Sequence, residues 1–159
     1  MNLRELGDSF FCDNMKKFVS DEPYMSFVIM SAIVEFIGKC MKCREDFSMK
    51  GCSKQDFCHA INNLEELSKY KVFNTENSNH LYDHLRCGMV HSMIPQSDVV
   101  LSDSSNNLKE KIVGAKDFYS DLQRAWEEIQ QNNSIGAYLS KKKAVDINNN
   151  LTGSTLSNI

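Results

Sequence analysis

An arginine and a histidine with complementary chemistry lie five residues apart in the segment 85–91, LRCGMVH. A histidine with its usual pKa of about 6.5 exchanges protons near neutral pH, so it can act as a general acid or base. An arginine clamps a phosphate through two parallel hydrogen bonds. Arg86 and His91 therefore suit proton transfer beside a phosphate. On a straight α-helix, however, five residues correspond to a rotation of about 140°. A working site would therefore need either a turn loosened at Gly88 or a contribution from each of two protomers.

The same arginine also has a purely structural interpretation. Glu35 lies in the middle of an apolar stretch, and a buried carboxylate without a partner is costly. We expect Arg86, on a neighbouring core helix, to be that partner. In this interpretation Arg86 is first a structural residue, and His91 is a helix-end residue stabilised by the helix dipole.

The cysteines offer a weaker candidate for a metal site. Cys40 and Cys43 have the spacing of zinc ligands, but the later Cys52, Cys58 and His59 do not supply a matching second pair. Six cysteines without a recognisable secretion signal are typical of reduced thiols in a cytoplasmic protein. The sequence therefore predicts free thiols, a cytoplasmic location and no metal or other cofactor.

Two further polar groups could bind a ligand. His80, His84 and His91 return to one face of an ideal helix and could hold a metal, although a solvated polar face is the commoner use of such a pattern. The lysines at 141–143 could contact RNA, although a short charge run of this kind is usually only solvated.

Hydrophobic periodicity predicts the elements that position these residues. It indicates helices over about 3–19, 22–42, 54–70, 78–91 and 115–131, and the segment 22–42 is apolar on nearly every face, as in the central helix of a bundle. Ser53 is expected to cap the third helix, with Asp56 completing an approximate capping box. Short apolar runs near 98–101 and 111–113 indicate a small hairpin or extended arm. We expect one helical domain over 1–133 and a peripheral tail over 134–159.

The segment 79–91, NHLYDHLRCGMVH, resembles the last core helix of HEPN domains, whose hallmark is an arginine followed four to six residues later by a histidine near a helix end. HEPN domains are small all-α helical bundles, often dimeric, that occur in bacterial toxin–antitoxin and defence systems. The resemblance implies an all-α, HEPN-like fold and catalytic roles for Arg86 and His91 in metal-independent RNA cleavage. Active members usually carry a polar residue after the arginine, and this chain has Cys87 there.

The implied partners are a second copy of the chain, RNA, and an antitoxin or other protein. An alternative is a non-catalytic interaction or dimerisation module on the same fold. The net charge of −3 and the pI near 5.8 disfavour a general duplex-DNA or membrane-surface binder. The apolar stretch in 24–38 is shorter than the roughly 20 residues that a bilayer requires and contains Glu35, so we expect no membrane span.

Overall fold

The computed structural model describes residues 1–47, 49–73, 81–92, 99–103 and 105–144, and of residues 84 and 90–92 in the π-helix it describes the backbone alone. These residues form a mainly helical body. The α-helices are α1 (Leu3–Ser9), α2 (Asp13–Asp21), α3 (Pro23–Met41), α4 (Ser53–Asn63), α5 (Ala115–Gln131) and α6 (Asn133–Lys141). Between α4 and α5 the chain forms a 3₁₀-helix (Ser68–Phe73), a π-helix (Tyr82–Ser92), strand β1 (Val100–Ser102), a short 3₁₀-helix (Leu108–Glu110) and strand β2 (Ile112–Gly114).

Helix α3 is the centre of the body, as its sequence predicts, because α4, α5 and the π-helix all pack against it. Its length and composition alone would allow it to cross a membrane, with a mean hydropathy of 1.5. More than half of that stretch is buried inside the protein, which fits a core helix. Gly38 allows α4 to approach closely, since a Cβ atom there would lie 1.8 Å from the backbone oxygen of Asp56.

The first predicted helix is in fact two helices. The chain turns at residues 10–12, between α1 and α2. This turn lets two adjacent aromatic rings face the core: Phe10 packs edge-on against Phe36, and Phe11 packs against Tyr119. A continuous helix would send neighbouring side chains about 100° apart, so the hydrophobic periodicity of 3–19 came from two elements.

The third predicted helix is shorter than expected, and its predicted capping box is wrong. Helix α4 ends at Asn63, and Cys52 is the N-cap residue without a side-chain hydrogen bond. Ser53 donates its hydroxyl to Glu35 instead. Asp56 accepts hydrogen bonds from Lys42 and Arg44, so neither of the expected capping side chains is left for the helix end.

The predicted small extended element is present, but as a parallel pair and not as a hairpin. Val100 pairs with Ile112 and Ser102 with Gly114. The side chain of Asn106 supports this connection: its Nδ2 donates to the Tyr70 hydroxyl at 2.8 Å, and its Oδ1 accepts from the Gly114 N–H at 2.8 Å.

Residues 134–144, the first part of the expected tail, are mostly helical and pack against the rest of the described body. Helix α6 packs against α1 and α5, and Leu139 is fully buried. Asn132 caps α6 through its side-chain oxygen. The main chain of 142–144 also pairs with that of 1–3, through hydrogen bonds of 2.9 Å (Leu3 N to Lys142 O) and 3.0 Å (Ala144 N to Met1 O). Residues 145–159 lie outside the described residues.

Candidate functional site

Glu35 is the centre of a polar cluster where α3, α4 and the π-helix meet. Glu35 as a whole residue is 8% exposed to solvent. Oε1 lies 2.9 Å from Lys39 Nζ and accepts a 2.9 Å hydrogen bond from the Ser53 hydroxyl. Oε2 lies 3.3 Å from Arg86 Nη2, so the two residues paired on sequence grounds do form an ion pair. Both carboxylate oxygens are therefore engaged.

These partners set the charge state of Glu35. Burial alone raises the pKa of this carboxyl, but hydrogen bonds from Lys39 and Ser53 and the positive charges of Lys39 and Arg86 outweigh burial, so that the pKa lies below its usual value. Glu35 is consequently an ionised acceptor at neutral pH. This state suits an anchor for Arg86 and does not suit a general acid.

Arg86 retains one face toward solvent, with its side chain 22% exposed. Its guanidinium carbon lies 5.8 Å from the centre of the Tyr82 ring, in a cation–π contact. Its Nε is buried and has no hydrogen-bond partner among the described residues. Arg86 is therefore oriented from one side by Glu35 and Tyr82, while its remaining exposure allows contact with a further anion.

The helix that carries Arg86 is a π-helix over Tyr82–Ser92, and not the α-helix expected over 78–91. Its hydrogen bonds join residues five apart, so position i+5 lies about one turn after position i. Backbone positions 86 and 91 are therefore on nearly the same side of the helix. The rotation of about 140° predicted for an α-helix does not apply.

A side-chain contact within the same helix supports this geometry. Tyr82 and Cys87 are also five residues apart, and burial together with the neighbouring Cys87 raises the pKa of Tyr82. Residues five apart thus do meet on the surface of this helix. Leu81, Leu85 and Met89 are fully buried and fix this segment on the core.

The side chain of His91 lies outside the described residues, as do His80 and the side chain of His84. The position of the His91 imidazole relative to Arg86, and the three-histidine arrangement, therefore stay predictions.

A second buried carboxylate, Asp56, was not recognised as a centre of interactions from the sequence. Its Oδ1 lies 2.9 Å from Lys42 Nζ and 2.7 Å from Arg44 Nη2, and its Oδ2 is buried without a hydrogen-bond partner in the described part of the chain. Lys42 and Arg44 follow the end of α3, and their ion pairs with Asp56 join α3 to the first turn of α4.

The thiols are dispersed over the described body. Cys40 is buried, which raises the pKa of its thiol, whereas Cys12 is exposed. Among the described side chains of residues 1–47, 49–73, 81–92, 99–103 and 105–144, no three from His, Cys, Asp or Glu are grouped so that they could hold a metal ion.

Comparison with protein-family models, with curated proteins and with solved structures gives no significant match to this chain.

Proposed function

We propose that this chain is a cytoplasmic HEPN-like protein of a bacterial defence or toxin–antitoxin system, and that Arg86 and His91 form a metal-independent RNase site. The observation that carries the proposal is the π-helix, because it places positions 86 and 91 one turn apart on one side of the helix. The resemblance of the segment 79–91 to the last HEPN helix supplies the family and the substrate class.

The proposed chemistry needs only a proton acceptor, a proton donor and a cation. An imidazole takes the proton from a ribose 2′-hydroxyl as its oxygen attacks the adjacent phosphorus, and the bond from phosphorus to the 5′-oxygen breaks. The leaving 5′-oxygen takes up a proton, and a 2′,3′-cyclic phosphate remains. We assign the proton transfers to His91. Arg86 stabilises the phosphate charge with the part of its guanidinium that Glu35 does not engage.

An RNA-cleavage assay with the full chain tests this site. His91→Ala should reduce the cleavage rate about 100-fold or more, which is the usual scale for a general acid–base group. His59→Ala, in which a histidine on α4 is removed, is the matched control and should keep wild-type activity. A chelator should have no effect. Cys87→Asn, which restores a polar residue after the arginine, should raise the rate.

A second candidate function is a non-catalytic interaction module on the same fold. The observation that favours it is the engagement of Arg86 by Glu35, which makes the arginine a structural residue. The same assay separates the two functions. If the wild-type protein, free of any partner, cleaves no RNA above the His91→Ala background, the RNase proposal fails and the interaction module stands.

For both proposed functions, the RNase and the interaction module, we propose that the chain forms a homodimer. Support comes from the apolar surface of α3, where Tyr24, Met25 and Ile29 are about 40% exposed. Light scattering of a homodimer should give about 36 kDa, twice the chain mass of 18.2 kDa. A mass of one chain across micromolar concentrations would contradict dimerisation and remove any site shared between protomers.

A further inference from the structure

A groove of about 240 Å³ lies between α2 and α5, and its rim consists of hydrogen-bond donors. Lys16 and Ser20 border it from α2, and Lys116, Ser120 and Gln123 border it from α5. No carboxylate lines this groove. In a chain with a net charge of −3, a groove with two lysines and no acid is a local reversal of charge.

The two lysines are not neutralised within the described part of the chain. Neither Lys16 nor Lys116 forms an ion pair there, whereas Lys39 and Lys54 each pair with a carboxylate. The hydroxyl of Ser120 already accepts a hydrogen bond from Arg124 Nη1 at 2.9 Å, so its own proton is left to donate. The rim therefore offers two ammonium groups and hydroxyl donors to an anion.

The floor of the groove is apolar. Val19 and Tyr119 form it, and they are 2% and 5% exposed. The Tyr119 hydroxyl donates to the backbone oxygen of Phe10 at 3.3 Å. The polar end of this side chain is thus already used, and what it offers to a ligand is its ring. A flat apolar group would fit against Val19 and this ring.

We propose that the groove between α2 and α5 binds a small organic phosphate monoester through Lys16 and Lys116, with its flat apolar group on Val19 and Tyr119. A phosphate monoester carries close to two negative charges at neutral pH and three terminal oxygens, so it uses more of these donors than a carboxylate does. The site is separate from Arg86, because α2 packs on α3 and α5 whereas the π-helix packs on α3 and α4.

Titration of the full chain with phenyl phosphate, followed by amide NMR shifts, tests the ligand class. Phenyl phosphate should give saturable shifts confined to α2 and α5. Inorganic phosphate, which lacks the ring, should bind about tenfold more weakly, and phenol, which lacks the charge, should give no saturable shift. Equal binding of phenol, or shifts without saturation at millimolar phenyl phosphate, would overturn the proposal. Equal binding of inorganic phosphate would refute the role of the apolar floor.

Charge-removing variants test the residues. Lys16→Gln and Lys116→Gln should each weaken phenyl phosphate binding by about tenfold, since hydrogen bonds to charged groups are among the stronger ones. Lys17→Gln removes the same charge from the neighbouring position of α2, outside the groove, and should bind as the wild type does. Thermal melting checks that all three variants are folded. If Lys17→Gln weakens binding as much as the other two, general charge and not this groove attracts the anion, and the proposal is wrong.

Discussion

Glu35→Gln removes the charge at the centre of the polar cluster while it preserves the size of the side chain. Arg86 and Lys39, with side chains 22% and 17% exposed, then lose the carboxylate that both contact. Breaking a fully buried pair costs about 3–5 kcal/mol, and an exposed pair contributes about 0.2–1 kcal/mol. The intermediate exposure of these side chains leads us to expect a loss of about 2 kcal/mol in the free energy of unfolding. For a chain of this size, the corresponding fall in Tm is about 4–8 °C.

Urea and thermal unfolding at pH 7, followed by circular dichroism, measure this loss. Glu127→Gln is the matched control, because Glu127 is an exposed α5 residue with a 3.4 Å contact from Gln123, and it should stay within about 0.5 kcal/mol of the wild type. A double-mutant cycle with Arg86→Gln should give a coupling energy of about 1 kcal/mol. If Glu35→Gln has the same Tm and the same free energy of unfolding as the wild type, the carboxylate makes no net contribution to stability and the reasoning is refuted.

The difference in stability between the wild type and Glu35→Gln should change with pH in a definite direction. The pKa of Glu35 is lower in the folded protein than its usual value, so its contribution is complete above the unfolded pKa of about 4.3. As the pH falls from there through the folded pKa, the wild type loses this contribution and the glutamine variant does not. The gap in stability between the two proteins should therefore close in acid, and a gap that widens below pH 4 would contradict the assigned shift.

Three further predictions concern other parts of the body. Gly38→Ala should destabilise the protein by about 3 kcal/mol in urea unfolding, because the added carbon would meet the backbone oxygen of Asp56. Tyr70→Phe should cost about 1–3 kcal/mol in the same measurement, because it removes the hydrogen bond that the Tyr70 hydroxyl donates to Asp121 and the one that it accepts from Asn106; an unchanged midpoint would show that these bonds contribute nothing. With a thiol reagent at pH 8, Cys12 should react quickly and Cys40 only on unfolding, because burial raises the pKa of the Cys40 thiol. Near-stoichiometric zinc in elemental analysis would contradict free thiols.

The sequence predicts the two long helices well because α3 is apolar on nearly every face and α5 buries one continuous apolar stripe. The expected bounds of 22–42 and 115–131 agree closely with α3 and α5. The break at residues 10–12 was missed because periodicity records which side chains are apolar and not that two adjacent rings face the core. Helix α6 was missed because its cap, Asn132, and its short apolar row stand in a polar context resembling a loop.

The sequence was sufficient to predict the ion pair of the candidate site, but it was not sufficient to predict the type of helix that carries Arg86. A lone carboxylate in an apolar helix requires a cation, and this requirement led to Arg86. Lys39 was also within reach of prediction, since it stands four residues after Glu35 on the same face. The π-helix was not predictable, because no residue type specifies it; only packing of the whole body selects hydrogen bonds between residues five apart.

The pairing of residues 1–3 with 142–144 has a consequence for the connectivity of the protein. Residues 1–3 and 142–144 lie side by side, so a short linker is enough to join these two segments directly. We expect a chain joined in this way and opened at another loop to keep the same helix packing, because domains with adjacent end segments tolerate circular permutation. The order of the helices along the chain is therefore less important to this body than the set of neighbours that each helix has around α3.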